Sequence, residues 1–155
     1  MIKLLRVDHR LLHGQVALSW KNALDIDCIL IAHDGVPADS LRKQAIKLAR
    51  PADTKLVIKT VEDSIDAINS GVTEKYRLLI VVESITDAAR LCRACAIQWV
   101  NLGGTTVRPG TRAISKAVNV TEDEAQTIRE LAHEGVHVEI QMVPSDPVRD
   151  ALHAL

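Results

Sequence analysis

The densest cluster of side chains able to do chemistry is Arg6-Val7-Asp8-His9-Arg10-Leu11-Leu12-His13-Gly14-Gln15-Val16. An imidazole is substantially neutral and nucleophilic near neutral pH and can attack phosphorus, which makes His13 a candidate phosphoryl acceptor. Arg10 carries a permanent charge and a planar fork that can grip phosphate oxygens. Asp8 can accept a hydrogen bond from the imidazole N–H or from Arg10, fixing a tautomer or a guanidinium, and reads as an orienter rather than a base. Gly14 lets backbone approach a phosphate without a clashing side chain, and Gln15 can donate from its amide. Spacing alone leaves two readings open, a phosphate-handling loop and a solvated hydrogen-bond network.

The elements that must position this loop place it where a ligand can bind. Ile2 to Val7 is a strand pattern and Gly14 to Ala23 a helical one. A loop leading from the carboxyl end of a strand into a helix lies where open α/β sheets bind ligands, and free N–H groups at the helix start favour an anion. Further strands are expected at Cys28 to Ala32, Lys55 to Lys59, Leu78 to Val82, Gln98 to Leu102, a short piece at Ala113 to Val118, and Val136 to Met142. Helices are expected at Ala38 to Ala49, Val61 to Asn69, Ile85 to Ala94 and Glu122 to Glu134. Thr121 with Glu124 forms a capping box, Gly135 a left-handed stop, and Ser84 and Thr60 further caps. The alternation predicts an α/β fold: an open, doubly wound, mostly parallel sheet of about six to seven strands, with helices on both faces, in a single domain over residues 1–155.

Composition agrees and excludes several classes. The 155 residues hold 19 Lys+Arg against 20 Asp+Glu, so no global field draws nucleic acid or anionic lipid. There is no Phe, one Tyr and two Trp, which leaves a core of aliphatic side chains and no row of aromatics to stack bases. No stretch reaches the roughly 20 apolar residues of a membrane helix, and Met1-Ile2-Lys3-Leu4-Leu5-Arg6 meets charge too early for a signal peptide. A cytoplasmic location is expected, and Cys28, Cys92 and Cys95, an odd number, fit a reducing compartment. Cys92-Arg-Ala-Cys95 has redox or metal spacing but falls near a helix end without a second pair.

Secondary candidates each have a plainer alternative. Ser84, after a strand that neighbours the first across the switch point, can offer phosphate its hydroxyl or N–H, or simply cap a helix. Asn101 to Thr106 with Arg108 can form a second phosphate-facing or partner-facing loop, but lacks a Walker lysine and a dinucleotide fingerprint. His33, beside Asp34, ends a strand near the site. His133, His137 and His153 read as surface or edge residues, and no pair has zinc spacing, so no metal or other cofactor is expected.

The string Asp8-His9-Arg10-Leu11-Leu12-His13-Gly14-Gln15-Val16, followed by Trp20, resembles the amino-terminal signature of the enzyme IIB components of the mannose, fructose and sorbose phosphotransferase systems. Asp34 with the segment to Pro51, Asn101-Leu102-Gly103-Gly104, Lys116-Ala117-Val118 and Gly135-Val136 to Val143-Pro144 extend the resemblance from Ile2 to Pro144. It implies a phosphotransferase in which His13 takes a phosphoryl group from a phosphohistidine IIA protein and passes it to a sugar held by membrane IIC and IID components. Contact with the membrane would come only through those partners. One departure is His9, where many members carry a second acid; it adds an imidazole and leaves the loop less negative. A small His-dependent phosphatase or hydrolase, or a non-catalytic binding module, is the alternative. A hydrolase is expected to show a second catalytic carboxylate or a metal set, and none is evident.

Overall fold

The computed structural model describes residues 1–155. Its strands are β1 (Ile2–Asp8), β2 (Cys28–Ala32), β3 (Lys55–Lys59), β4 (Leu78–Val82), β5 (Trp99–Gly104), β6 (Arg112–Ala113), β7 (Asn119–Val120), β8 (His137–Ile140) and β9 (Arg149–Asp150). Its helices are α1 (Gly14–Leu24), α2 (Ser40–Leu48), α3 (Val61–Asn69), α4 (Ile85–Cys95), α5 (Glu122–His133) and α6 (Ala151–Ala154). Seven strands form one sheet in the order β3-β2-β4-β1-β5-β8-β9, parallel except for the short β9. Every residue of β2 and β4 is buried, as central parallel strands covered on both faces require, and their sequences accordingly run as unbroken Ile, Leu, Val and Ala apart from Cys28.

Two aliphatic layers cover the sheet. On one face α3, α4 and α5 enclose a cluster of 28 buried residues, including Ile85, Leu91, Ile128 and Leu131. On the other α1 and α2 contribute to a cluster of 12, with Trp20 against Leu4, Ile31 and Val81. The expected caps are formed: Thr60 Oγ1 accepts from Asp63 N–H, Ser84 Oγ accepts from Asp87 N–H, and the Thr121–Glu124 box closes in both directions. Gly135 follows α5 at φ 90°, the left-handed stop its type permits.

Several boundaries differ from expectation for local reasons. Helix α2 opens at Ser40 rather than Ala38 because Val36-Pro37-Ala38 forms a 3-10 turn and Asp39 then caps Arg42 N–H at 3.0 Å. Ala113 to Val118 is not a strand; Ser115 Oγ accepts from Val118 N–H at 3.1 Å, and the resulting turn joins the two-residue antiparallel strands β6 and β7. Strand β5 runs on to Gly104, taking the Asn101 to Gly104 segment out of loop geometry. Strand β8 is shorter than Val136 to Met142, and just beyond it the Gln141 carbonyl accepts side-chain donors from β1 and β5.

Strand order fixes where a site can form. The chain leaves β1 through α1 on one face toward β2, and leaves β5 through α5 on the other face toward β8. The carboxyl ends of β1 and β5 therefore flank a topological switch point.

Candidate functional site

The switch point is organised around a buried carboxylate. Asp8 and Arg6 are both almost fully buried, at 1% and 2% exposure, and lie on the same face of β1, two residues apart. Asp8 Oδ1 accepts from the Arg10 backbone N–H at 3.0 Å and from Arg10 Nε at 3.1 Å, while Oδ2 accepts from Arg10 Nη2 at 3.1 Å and Arg6 Nη2 at 3.2 Å. Burial pushes the Asp8 carboxyl upward, but the bonds from Arg10 and the charges of Arg6 and Arg10 together hold it below the usual carboxylate range. Burial likewise pulls Arg6 down, against its attraction to Asp8, and it remains a cation because a guanidinium is charged throughout the accessible pH range.

Arg6 reaches the other way into β5 and β8. Its Nη1 donates to Asn101 Oδ1 at 2.7 Å and to the Gln141 carbonyl at 3.2 Å, and Asn101 Nδ2 donates to that same carbonyl at 3.0 Å. The guanidinium carbon lies 5.6 Å from the Trp20 ring centroid, and Trp20 Nε1 donates to the Met142 carbonyl at 3.1 Å. On a further side is Gly103, where a Cβ would overlap the guanidinium. Gly103→Ala is accordingly expected to destabilise the protein by about 2 kcal/mol or more, read as a lowered urea midpoint, because the guanidinium can move aside only by giving up its bonds to Asp8, Asn101 and the Gln141 carbonyl.

This network pins the loop that follows. Leu11 N–H donates to the Asp8 carbonyl at 2.9 Å, with Leu11 in the left-handed region at φ 59°, and Leu11 and Leu12 are both buried. The next residue, His13, is exposed and occupies the N-cap of α1 without making a side-chain cap bond. Gly14 and Gln15, both exposed, form the first turn of that helix. A pinned loop thus ends in an accessible imidazole at a helix start, with Arg10 held three residues before it. Of the two hydrogen bonds expected of Asp8, the structure contains the one to Arg10.

Ser84 lies elsewhere. With His9, Glu83, Thr105, Thr106, Arg108 and Glu124 it lines a wholly polar cleft of about 200 Å³, whereas the small hollow beside His13 is lined by Arg6, Leu11, Trp20 and neighbouring apolar residues. Arg108, expected on a phosphate-facing loop, pairs with Glu124 at 2.7 Å. His33 pairs through Nε2 with Glu83, while its Nδ1 accepts from Gly35 and Val36 N–H at 3.0 and 3.1 Å; a ring nitrogen accepting twice carries no proton, so Nε2 is the donor. Burial pushes Glu83 upward, but the bond from His33 and the charge of Arg42 outweigh it and hold the carboxyl below its usual range. Cys92 sits inside α4 with its thiol pushed up to about 11 by burial, which leaves it no thiolate character at neutral pH. No three His, Cys, Asp or Glu side chains gather closely enough to hold a metal ion. No helix is long and apolar enough to cross a membrane.

Sequence reasoning did not identify Arg6 and Gln141 as parts of this network, nor the roles of Asn101 and Gly103. The available signal was a charged residue inside an otherwise buried strand, with an acid two residues later on the same face.

An open parallel sheet with an exposed histidine at its switch point, beside the buried Arg6–Asp8 pair, defines a doubly wound α/β protein. Comparison with known proteins makes this specific. The family model described as "PTS system sorbose subfamily IIB component" matches residues 2–155. The "PTS system sorbose-specific EIIB component" of Lacticaseibacillus casei is 31% identical over 153 residues, 98% of this chain and 93% of that protein. The "PTS system mannose-specific EIIAB component" of Escherichia coli K12 is 30% identical over 148 residues, 95% of this chain but 46% of that longer protein. The crystal structure of the IIBSor domain of the sorbose permease from Klebsiella pneumoniae superposes with a TM-score of 0.93 at 28% identity, covering 99% of this chain and 95% of that one. The chain belongs to the sorbose subfamily of phosphotransferase-system IIB components.

Proposed function

We propose that the whole chain acts as one IIB domain that carries a phosphoryl group on His13 between a IIA protein and a sugar bound by membrane IIC and IID components. The supporting observation is the placement of His13: exposed, free of a cap bond, and fixed at a helix start by a loop whose backbone is tied to buried Asp8. In the first step an imidazole nitrogen of His13 attacks the phosphorus of the IIA phosphohistidine; the new N–P bond forms as the old one breaks, and the IIA imidazole leaves. In the second a sugar hydroxyl attacks, an O–P bond replaces the N–P bond, and the hydroxyl proton is released. Arg10, its fork aligned by Asp8, stabilises charge on the transferring group, and the N–H groups of Gly14 and Gln15 offer further donors. Ser84 has a weaker part, since its hydroxyl caps α4 and lines the neighbouring cleft. The reaction needs no metal or other cofactor, and the protein works on the cytoplasmic side, reaching the membrane through its partners.

The test is intact mass after incubation with phosphoenolpyruvate, the general phosphotransferase proteins and a cognate IIA protein. An acid-labile gain of one phosphate is expected. No gain from a demonstrably phosphorylated IIA protein would overturn the reading and favour a hydrolase or a binding module. Arg10→Ala is expected to slow transfer by about a hundredfold in a rapid-quench time course while leaving the protein able to be modified; an unchanged rate would remove Arg10 from the mechanism.

A further inference from the structure

Along edge strand β3, on the face of the sheet that α3 covers and α1 does not, lies a cavity of about 300 Å³, at the low end of the range of small-molecule sites. Its apolar lining comes from Cys28, Leu30, Val57, Ala67, Val72 and Leu78. Cys28, Lys55 and Leu78 are the first residues of β2, β3 and β4, so one end of the cavity lies at the amino ends of the strands, and it runs along β3 past Val57 to Lys59, the last residue of that strand.

Its polar lining is of one sign. Lys55 and Lys75 line one end of it with Thr73 and Tyr76, Lys59 lines the other, and no carboxylate lines it. The acids near the Lys55 end are engaged elsewhere, Asp25 and Asp27 with Arg77, and Glu74 with the amino terminus. Lys55 Nζ donates to the Tyr76 hydroxyl at 2.9 Å, and Lys55 and Lys75 lie 5.0 and 5.2 Å from the Tyr76 ring centroid. Three ammonium groups without acidic partners, on a chain of net charge -1, concentrate positive potential over an apolar hollow. Lys55 and Lys59 sit on edge strand β3 and also discourage strand addition, but Lys75 and Tyr76 lie between α3 and β4 and serve no edge. Val72, 57% exposed, leaves an uncovered apolar side chain among them.

We infer that this cavity is a binding site for a small organic acid with an apolar body, the body filling the hollow toward Lys59 and the anionic group meeting Lys55 and Lys75 beside Tyr76. The site is separate from the phosphoryl-carrier loop and does not depend on the function proposed for it.

The single Tyr of the chain gives a resolved reporter. Octanoate is titrated into labelled protein while the Tyr76 ring and the Leu30, Val57 and Val72 methyl signals are followed by NMR, with octan-1-ol as the neutral counterpart. Octanoate is expected to give saturable shifts at these positions, with affinity about tenfold weaker for octan-1-ol and for the K55Q/K75Q variant, the sum of two modest charge contacts. Val72→Asp, an exposed change that adds a competing carboxylate, is expected to block binding as well. Shifts that fail to saturate, or equal affinities for octanoate and octan-1-ol, or for wild type and the double variant, would overturn the proposal.

Discussion

His13→Ala is expected to gain no phosphate under conditions in which the wild-type chain is fully converted, with the stability of the two proteins within about 0.5 kcal/mol of each other. The first half follows from chemistry. No other imidazole shares the His13 environment: His33 is bound to Glu83, and His9 lies over the cleft beyond Asp8, with its Nδ1 4.0 Å from Asp8 Oδ1 and its backbone N–H on the Gly104 carbonyl. The second half follows from the cap. An N-cap side chain normally satisfies a free N–H of the first turn, and replacing such a cap by Ala costs about 1 kcal/mol. His13 makes no such bond, so truncation removes nothing that holds α1.

His13→Asn separates the two halves more sharply. Asparagine is among the best N-cap residues, so this variant is expected to gain up to about 1 kcal/mol over His13→Ala while remaining equally unable to accept a phosphoryl group. A protein made more stable by losing its reactive residue would mean that the cap position was given over to chemistry. Intact mass and urea midpoints measured on the three proteins check both statements. Phosphate on either variant would shift the carrier role to another side chain and end the assignment.

How much of this was legible in the sequence follows from the range of the forces involved. The β1–α1 unit and its loop were readable because their signals are local: an apolar run, a polar cluster, then a helical period. The same holds for the caps at Thr60, Ser84 and Thr121, each set by residues within one helical turn. Partners brought together by the sheet were not readable. Arg6 meets Asn101 and Gln141 only because β5 inserts beside β1 and β8 beside β5, and a single sequence carries no trace of that pairing. Ser84 illustrates the opposite limit. Its strand was correctly expected beside β1, yet adjacency of strands does not decide which side chains share a hollow, and Ser84 faces the cleft with His9. Likewise two glycines at 103 and 104 suggested a turn, whereas Gly103 is needed inside a strand to clear the Arg6 guanidinium.

The buried Arg6–Asp8 pair makes the strongest stability prediction. Asp8→Ala is expected to cost about 3 kcal/mol, because it leaves the Arg6 guanidinium desolvated with its one charged partner removed. The remaining acceptors, Asn101 Oδ1 and the Gln141 carbonyl, are neutral and both bond Nη1, so Nη2 is left bare. A second substitution isolates the cause. In an Arg6→Met background the same Asp8→Ala change is expected to cost about 1–2 kcal/mol less, since no buried cation is then stranded; the difference measures the coupling of the pair. The wild-type pH profile carries the same signature. Asp8 is held below its ordinary pKa, so its contribution is fully present above about pH 5, where the unfolded carboxyl is already ionised, and is lost as pH falls through the lower native value. Urea midpoints from pH 7 down to pH 3 should therefore fall more steeply for wild type than for Asp8→Ala, and parallel profiles, or a cost near zero at pH 7, would mean that the polar neighbours of Arg6 satisfy its charge without Asp8. The same substitution releases the Arg10 fork from both of its oxygens, so on the function proposed for Arg10 loss of stability and slowed phosphoryl transfer are expected to appear together, one carboxylate holding the buried Arg6 on one side and Arg10 on the other.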